Sequence, residues 1–178
     1  GFRALSTLAT SDPYFYEHVS SDGIFSIKVT ALSFNDSSMK DMVWDPISNQ
    51  FFLAYERTVA KWEFIYKITN ELGVNMTVLE VQDNFGAELT IESVATQTPQ
   101  NSTDVLELGR PGPHGFTWEN IVLKPGESAQ ITFILVTRKN KSGHQHYECG
   151  LYALNSKGVV RYQYDGQSGN GQTSIDGY

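Results

Sequence analysis

Apolar residues recur with a period of two along most of this chain. Ile131, Phe133 and Leu135 alternate with Gln130, Thr132 and Ile134, and comparable runs occupy 25–32, 51–57, 62–68, 77–81, 89–95, 116–123, 147–154 and 159–164. That period places successive side chains on opposite faces of a strand, whereas an amphipathic helix repeats every three to four residues. Turn chemistry separates the runs: Asp22-Gly23, Asp45-Pro46, Leu72-Gly73, Asn84-Phe85-Gly86, Lys124-Pro125-Gly126-Glu127, Ser142-Gly143 and Lys157-Gly158. No segment carries a convincing helical pattern. The expected fold is all-β, a two-layer sandwich of the Ig-like or jelly-roll type with about nine strands. A closed barrel is the alternative.

The pattern also sets the expected boundaries. Residues 1–11 read as an N-terminal arm, 12–164 as the sandwich and 165–178 as a polar C-terminal tail of Gly, Ser, Gln and Asn. A long polar loop is expected over 96–115, with Pro99, Pro111 and Pro113. Both ends are expected as extended segments.

Composition narrows the function classes. The 178 residues carry 13 basic and 20 acidic side chains, a formal charge of −7, which argues against a nucleic-acid footprint. Their 40% hydrophobic and 12% aromatic content argues against disorder. No apolar run reaches the roughly 18 residues of a membrane-spanning helix. Only 19% of residues are charged, below the roughly 25% of ordinary domains, so something else must keep the surface soluble. Four N-glycosylation triplets supply a candidate, at Asn35, Asn75, Asn101 and Asn140. With Gly1 at the start of the sequence, they lead to the expectation of an exported protein, processed by signal-peptide removal and carrying N-linked glycans at the cell surface. The lone Cys149 has no internal partner for a disulfide.

Catalytic motifs are absent: there is no phosphate loop, nucleophile elbow, HExxH or paired-Cys motif, and no cofactor is expected. His144 and His146 would share a strand face, but Cys149 would face away, which spoils a three-ligand metal site. The 165–170 stretch has the flavour of a calcium loop without its alternating carboxylates. Acidic pairs such as Asp83 with Glu88, or Asp36 with Asp41, read as solvated loop carboxylates. A Lys–Asn isopeptide crosslink is conceivable from Lys28 or Lys67 to Asn155. Tyr14, Phe15 and Tyr16 lie in a turn-like stretch and cannot all face one interior, which makes them candidate subunit contacts.

A resemblance extends over roughly residues 62–137. Ile65-Tyr-Lys-Ile-Thr-Asn70-Glu-Leu-Gly73, Val78-Leu-Glu-Val-Gln-Asp83, Phe116-Thr-Trp118 and Leu123-Lys-Pro-Gly126-Glu-Ser-Ala resemble the conserved repeat domain of bacterial and archaeal cell-surface proteins. The resemblance implies an extracellular Ig-like sandwich without an active site, in which Asn70 and Gly73 shape a hairpin and Pro125-Gly126 a tight turn. At the level of architecture, the long termini are similar to those of archaeal thread, bundling-pilus and camelysin-like fibre subunits, in which an arm of one subunit completes the next. On that analogy the chain is expected to be a non-enzymatic filament subunit forming a homopolymer by donor-strand exchange. Phe2, Ala4, Leu5 and Leu8 would lie in the donor arm. The alternative is a monomeric adhesin or glycan-binding module using the 96–115 loop and the Tyr14–16 cluster.

Overall fold

The computed structural model describes residues 15–34, 42–45, 50–53, 60–87, 89–99, 105–108, 114–137 and 150–177. These residues form thirteen strands and no helix: β1 (Phe15–Val19), β2 (Phe25–Phe34), β3 (Met42–Asp45), β4 (Gln50–Leu53), β5 (Ala60–Thr69), β6 (Met76–Phe85), β7 (Leu89–Gln97), β8 (Val105–Leu108), β9 (His114–Leu123), β10 (Ser128–Thr137), β11 (Gly150–Tyr152), β12 (Lys157–Tyr164) and β13 (Gly171–Asp176). Each of the nine alternating runs of the sequence contains one strand. The four additions, β1, β3, β8 and β13, are short.

Two five-stranded antiparallel sheets, ordered β1-β2-β5-β10-β7 and β13-β12-β6-β9-β8, carry the core, and β11-β4-β3 form a third, smaller sheet. The two large sheets face each other as a sandwich, with β13 against β2 and β9 against β10. Alternation decides which residues meet in the middle. From the first sheet Phe25, Ile27, Trp62, Phe64, Tyr66, Ile68, Ile131, Phe133 and Leu135 are buried; the second answers with Met76, Val78, Val81, Phe116, Trp118, Ile121 and Val160. Aromatic rings form the centre, with Phe116 tilted against Phe133 at 4.4 Å between centroids and edge-on to Tyr66 at 4.9 Å. At roughly 25 cal/mol per Å² of buried apolar surface, such interlocked rings dominate the stability of a sandwich.

The period of two breaks once in β6 and once in β9, at the same place. Val78 and Val81 both face inward with Leu79 and Glu80 between them; Trp118 and Ile121 do the same around Glu119 and Asn120. Asn120 takes a φ of 59°, a left-handed conformation that Asn tolerates better than most residues, and the register between β12 and β6 slips at the same level.

Asn70, immediately after β5, forms a buried corner. Its buried carboxamide donates to the carbonyls of Val74 (2.8 Å) and Leu123 (2.9 Å) and accepts from the Leu72 N–H (3.0 Å). Its main chain is locked to the following turn, giving a hydrogen bond to Glu127 O and taking one from Gly126 N–H, both at 2.9 Å. That turn has Pro125 in second place, Gly126 in third with φ of 82°, and a closing bond from Glu127 N to Lys124 O, the features of a type II turn. Gly73 does not share this role. It lacks a positive φ, and open space surrounds the position of a Cβ, so Asn70 rather than Gly73 holds the hairpin.

Two expected boundaries differ in the structure. Within the polar tail, residues 171–176 form β13, antiparallel to β12, with Thr173 and Ile175 buried. Two inward side chains and a full ladder compensate for the low apolar content, and Gly171 leaves room for the Tyr162 ring. Within the 96–115 loop, Val105–Leu108 pair with β9 as an edge strand.

Candidate functional site

A densely connected buried polar group in the described residues is Asp83. It stands on β6 where alternation puts its side chain inside the sandwich, and it is fully buried. One carboxylate oxygen accepts from Tyr66 Oη (2.5 Å) and Asn155 Nδ2 (2.6 Å); the other accepts from the backbone N–H groups of Asn84 (2.7 Å) and Lys157 (3.1 Å). Burial pushes the carboxyl above its ordinary value of 3.8, against the opposing effect of these four hydrogen bonds. Around it the main chain closes tightly: Ser156 N donates to Asn84 O, Gly86 N to Leu154 O, and Phe85 bridges to Asn155. Gly115 passes so close to the Asp83 carbonyl that no Cβ would fit there.

Asp83 is therefore a clasp. It fastens β5, β6 and the segment entering β12 to one point. A carboxylate with four donors already aimed at it and no exposure to water offers nothing to a substrate, so the network serves the fold. This corrects the reading of Asp83 as a solvated loop carboxylate. It also bears on the isopeptide crosslink. Asn155 does lie beside a buried acid, but the phenol of Tyr66 stands where a lysine would be required. Lys67 follows Tyr66 on β5 and is exposed, and Lys28 alternates with the inward Ile27 and Val29, so both lie on the outer face of their sheet. The crosslink is not assembled.

A second acid works in the opposite direction. Burial raises the Asp22 carboxyl, but hydrogen bonds from Ser20, the Ile24 N–H and Thr173 outweigh it and leave the group below its ordinary 3.8. The Ser20 Oγ to Asp22 Oδ1 bond is 2.6 Å. It shapes the β1–β2 turn, and Thr173 joins that turn to β13.

Of the proposed glycan acceptors, Asn75 is described: it is half-buried and directly precedes β6. Asn35, Asn101 and Asn140 lie outside the described residues, as do Phe2, Ala4, Leu5, Leu8 and Tyr14, the His144, His146 and Cys149 metal candidate, Asp36, Asp41 and Glu88. Phe15 opens β1, and Tyr16 packs against the core, half-buried, so these two members of the aromatic cluster belong to a strand rather than a free turn. Pairing with Val29, which faces the interior, explains the inward turn of Tyr16. The 165–170 stretch is the β12–β13 connection, with Gly166 and Gly169 at positive φ. No group of three or more His, Cys, Asp or Glu side chains suited to a metal occurs among the described residues.

The sheet margins provide the other candidate surface. Four strands end the two large sheets: β1, β7, β8 and β13. Three have six residues or fewer, whereas β7 has nine. Its inward residues Ile91 and Val94 are half-buried and lie at the rim of the core. The β7–β10 register slips at Glu92, which is tied across the outer face to Lys61 at 2.9 Å, so the first half of the strand carries a bulge and a charge. Beyond it, residues 93–97 (Ser-Val-Ala-Thr-Gln) are regular, uncharged and free of proline. Among the described residues, β7 pairs with β10 alone. Trp118, opposite Val105 of β8, has a buried indole N–H with no acceptor among the described residues. An unmet buried donor of this kind costs about 1–3 kcal/mol.

Comparison with known protein families, with curated proteins and with solved structures returns no match.

Proposed function

We propose that this chain is a non-enzymatic structural subunit of an extracellular filament, joined head to tail by strand addition. The observation that carries the reading is the uncharged second half of β7, residues 93–97, on the outer margin of a five-stranded sheet. A row of unpaired backbone donors and acceptors is a template for another strand, and proteins that must stay monomeric usually blunt such edges with charge, proline or brevity. The first half of β7 is blunted in that way; the second is not. The donor we propose is the N-terminal arm with Phe2, Ala4, Leu5 and Leu8. A contact of this kind that does not close on itself propagates as a fibre.

Two changes test it by electron microscopy of the purified protein. Removing residues 1–11 should abolish fibres, and so should Ser93→Lys with Ala95→Lys, which places charge on exposed positions of the acceptor edge. Unchanged fibres from both proteins would overturn the proposal. The adhesin alternative has less support, since Tyr16 is turned into the core rather than displayed.

A further inference from the structure

We infer that Asn75 is an occupied glycan attachment site whose first sugars cover an apolar patch at the β5–β6 end of the sandwich. The inference is independent of the assembly reading. Its first element is register. Met76 is completely buried and sits opposite Leu123 on β9 and Tyr164 on β12, so Thr77 falls by alternation on the outer face of the sheet, and Asn75, just before the strand, is half-buried. These are the two residues that the acceptor triplet Asn75-Met76-Thr77 requires to be accessible.

Its second element is what surrounds them. Thr77 is paired with Val122, which is 42% exposed on that same face. Val74, immediately before Asn75, is 41% exposed, and Leu72, in the same turn, is 43% exposed. Among the described residues these are three of the five large apolar side chains left open to solvent; Leu72 and Val74 precede the acceptor triplet in the chain, and Val122 is paired with its Thr77. Isolated exposed apolar residues are ordinary; three gathered at one spot call for a cover.

The patch is also rigid. The Asn70 carboxamide joins Val74 O to Leu123 O, and Asp165 N donates to Asn75 O at 3.0 Å, so both sides of the turn and the strand beside it are fixed. The Asn75 main chain is held from the β12 side. An N-linked sugar begins with an N-acetylhexosamine in most glycans, and its acetyl methyl and C–H faces pack on aliphatic side chains. Here they would lie over Val74 and Val122.

The test is mass spectrometry of the peptide containing Asn75, from protein isolated from its native source. A carbohydrate increment that enzymatic or chemical deglycosylation removes is the expected result; a fully unmodified Asn75 would overturn the inference. Cover is tested separately with Thr77→Ala, which removes the acceptor hydroxyl residue and leaves every apolar side chain of the patch in place. Binding of a hydrophobic dye should rise several-fold over the glycosylated protein, with the unfolding midpoint showing that the fold is retained. Equal dye binding with and without sugar would overturn the covering role. Self-association of a native protein unmodified at Asn75, relieved by Val122→Ser, would assign the patch to a second copy instead.

Discussion

The two margins of the sandwich are finished in opposite ways. Where β6 meets the entry to β12, one buried carboxylate gathers four donors from β5, β6 and the β11–β12 connection, and the main chains cross-bond on both sides. At β7, among the described residues, the strand has a partner on one side, half-buried apolar residues at the rim, and an ion pair to Lys61 on its outer face. The first margin spends polar groups to fix a unique geometry. The second, among the described residues, is finished by one ladder and little else, and the difference separates residues that fix the fold from those that only border it.

The largest effect should follow from breaking the closed margin. Asp83→Ala leaves four donors without an acceptor inside the core and should destabilise the protein by about 3 kcal/mol or more, read from denaturant unfolding. If the loss is under about 1 kcal/mol, water has replaced the carboxylate and the clasp has little structural value. Asn70→Ala comes next, at roughly 2 kcal/mol, because two carbonyls and one N–H lose their partner at a buried corner.

The acid-dependent terms are smaller and have opposite signs. Asp83 has a raised folded value, so the folded state holds its proton more tightly than the unfolded chain. Its contribution is complete below about pH 4 and is lost as pH rises through the folded value. Asp22 has a lowered folded value, so its contribution is present above about pH 4 and is lost as pH falls through that value. Unfolding followed against pH should therefore lose its downward trend on raising pH above 4 in Asp83→Asn. The Asp22→Asn protein should instead be weakened near neutrality and approach the parent in acid. Superimposable pH profiles would contradict both assignments.

Least of all should change at the open margin. Lys61→Ala removes an exposed ion pair and should shift stability by no more than about 0.5 kcal/mol, less in high salt. Ser93→Lys with Ala95→Lys should also leave unfolding nearly unchanged, within about 0.5 kcal/mol per substitution, while eliminating assembly. A large stability loss in that protein would mean that the edge is already covered within one molecule, and the comparison would fail.

The strands that alternation missed share a position. β1, β3, β8 and β13 all lie at the ends of their sheets. An edge strand needs a ladder on one side and a few inward side chains, so β13 succeeds with Thr173 and Ile175 in a sequence of glycine and polar residues. The central strands must bury one face completely and therefore advertise themselves. Asp83 escaped for a related reason. In sequence it sits beside Asn84 and Gly86, a turn-like setting, and its partners are 17 and 72 residues away. The Asn70 corner was more legible, because its bonds to Leu72 and Val74 are local.

By itself, then, the sequence determined the all-β class, the nine alternating runs that each contain a strand, the tight turn at Pro125-Gly126 and the acceptor triplet at Asn75. These depend on interactions between near neighbours or on a period that every residue of a strand repeats. Only the tertiary structure decided which carboxylate is buried, which edge strands form, which lysines face outward and which apolar residues remain in the open. Each of those depends on chain segments brought together from far apart, and a one-dimensional pattern holds no record of that meeting.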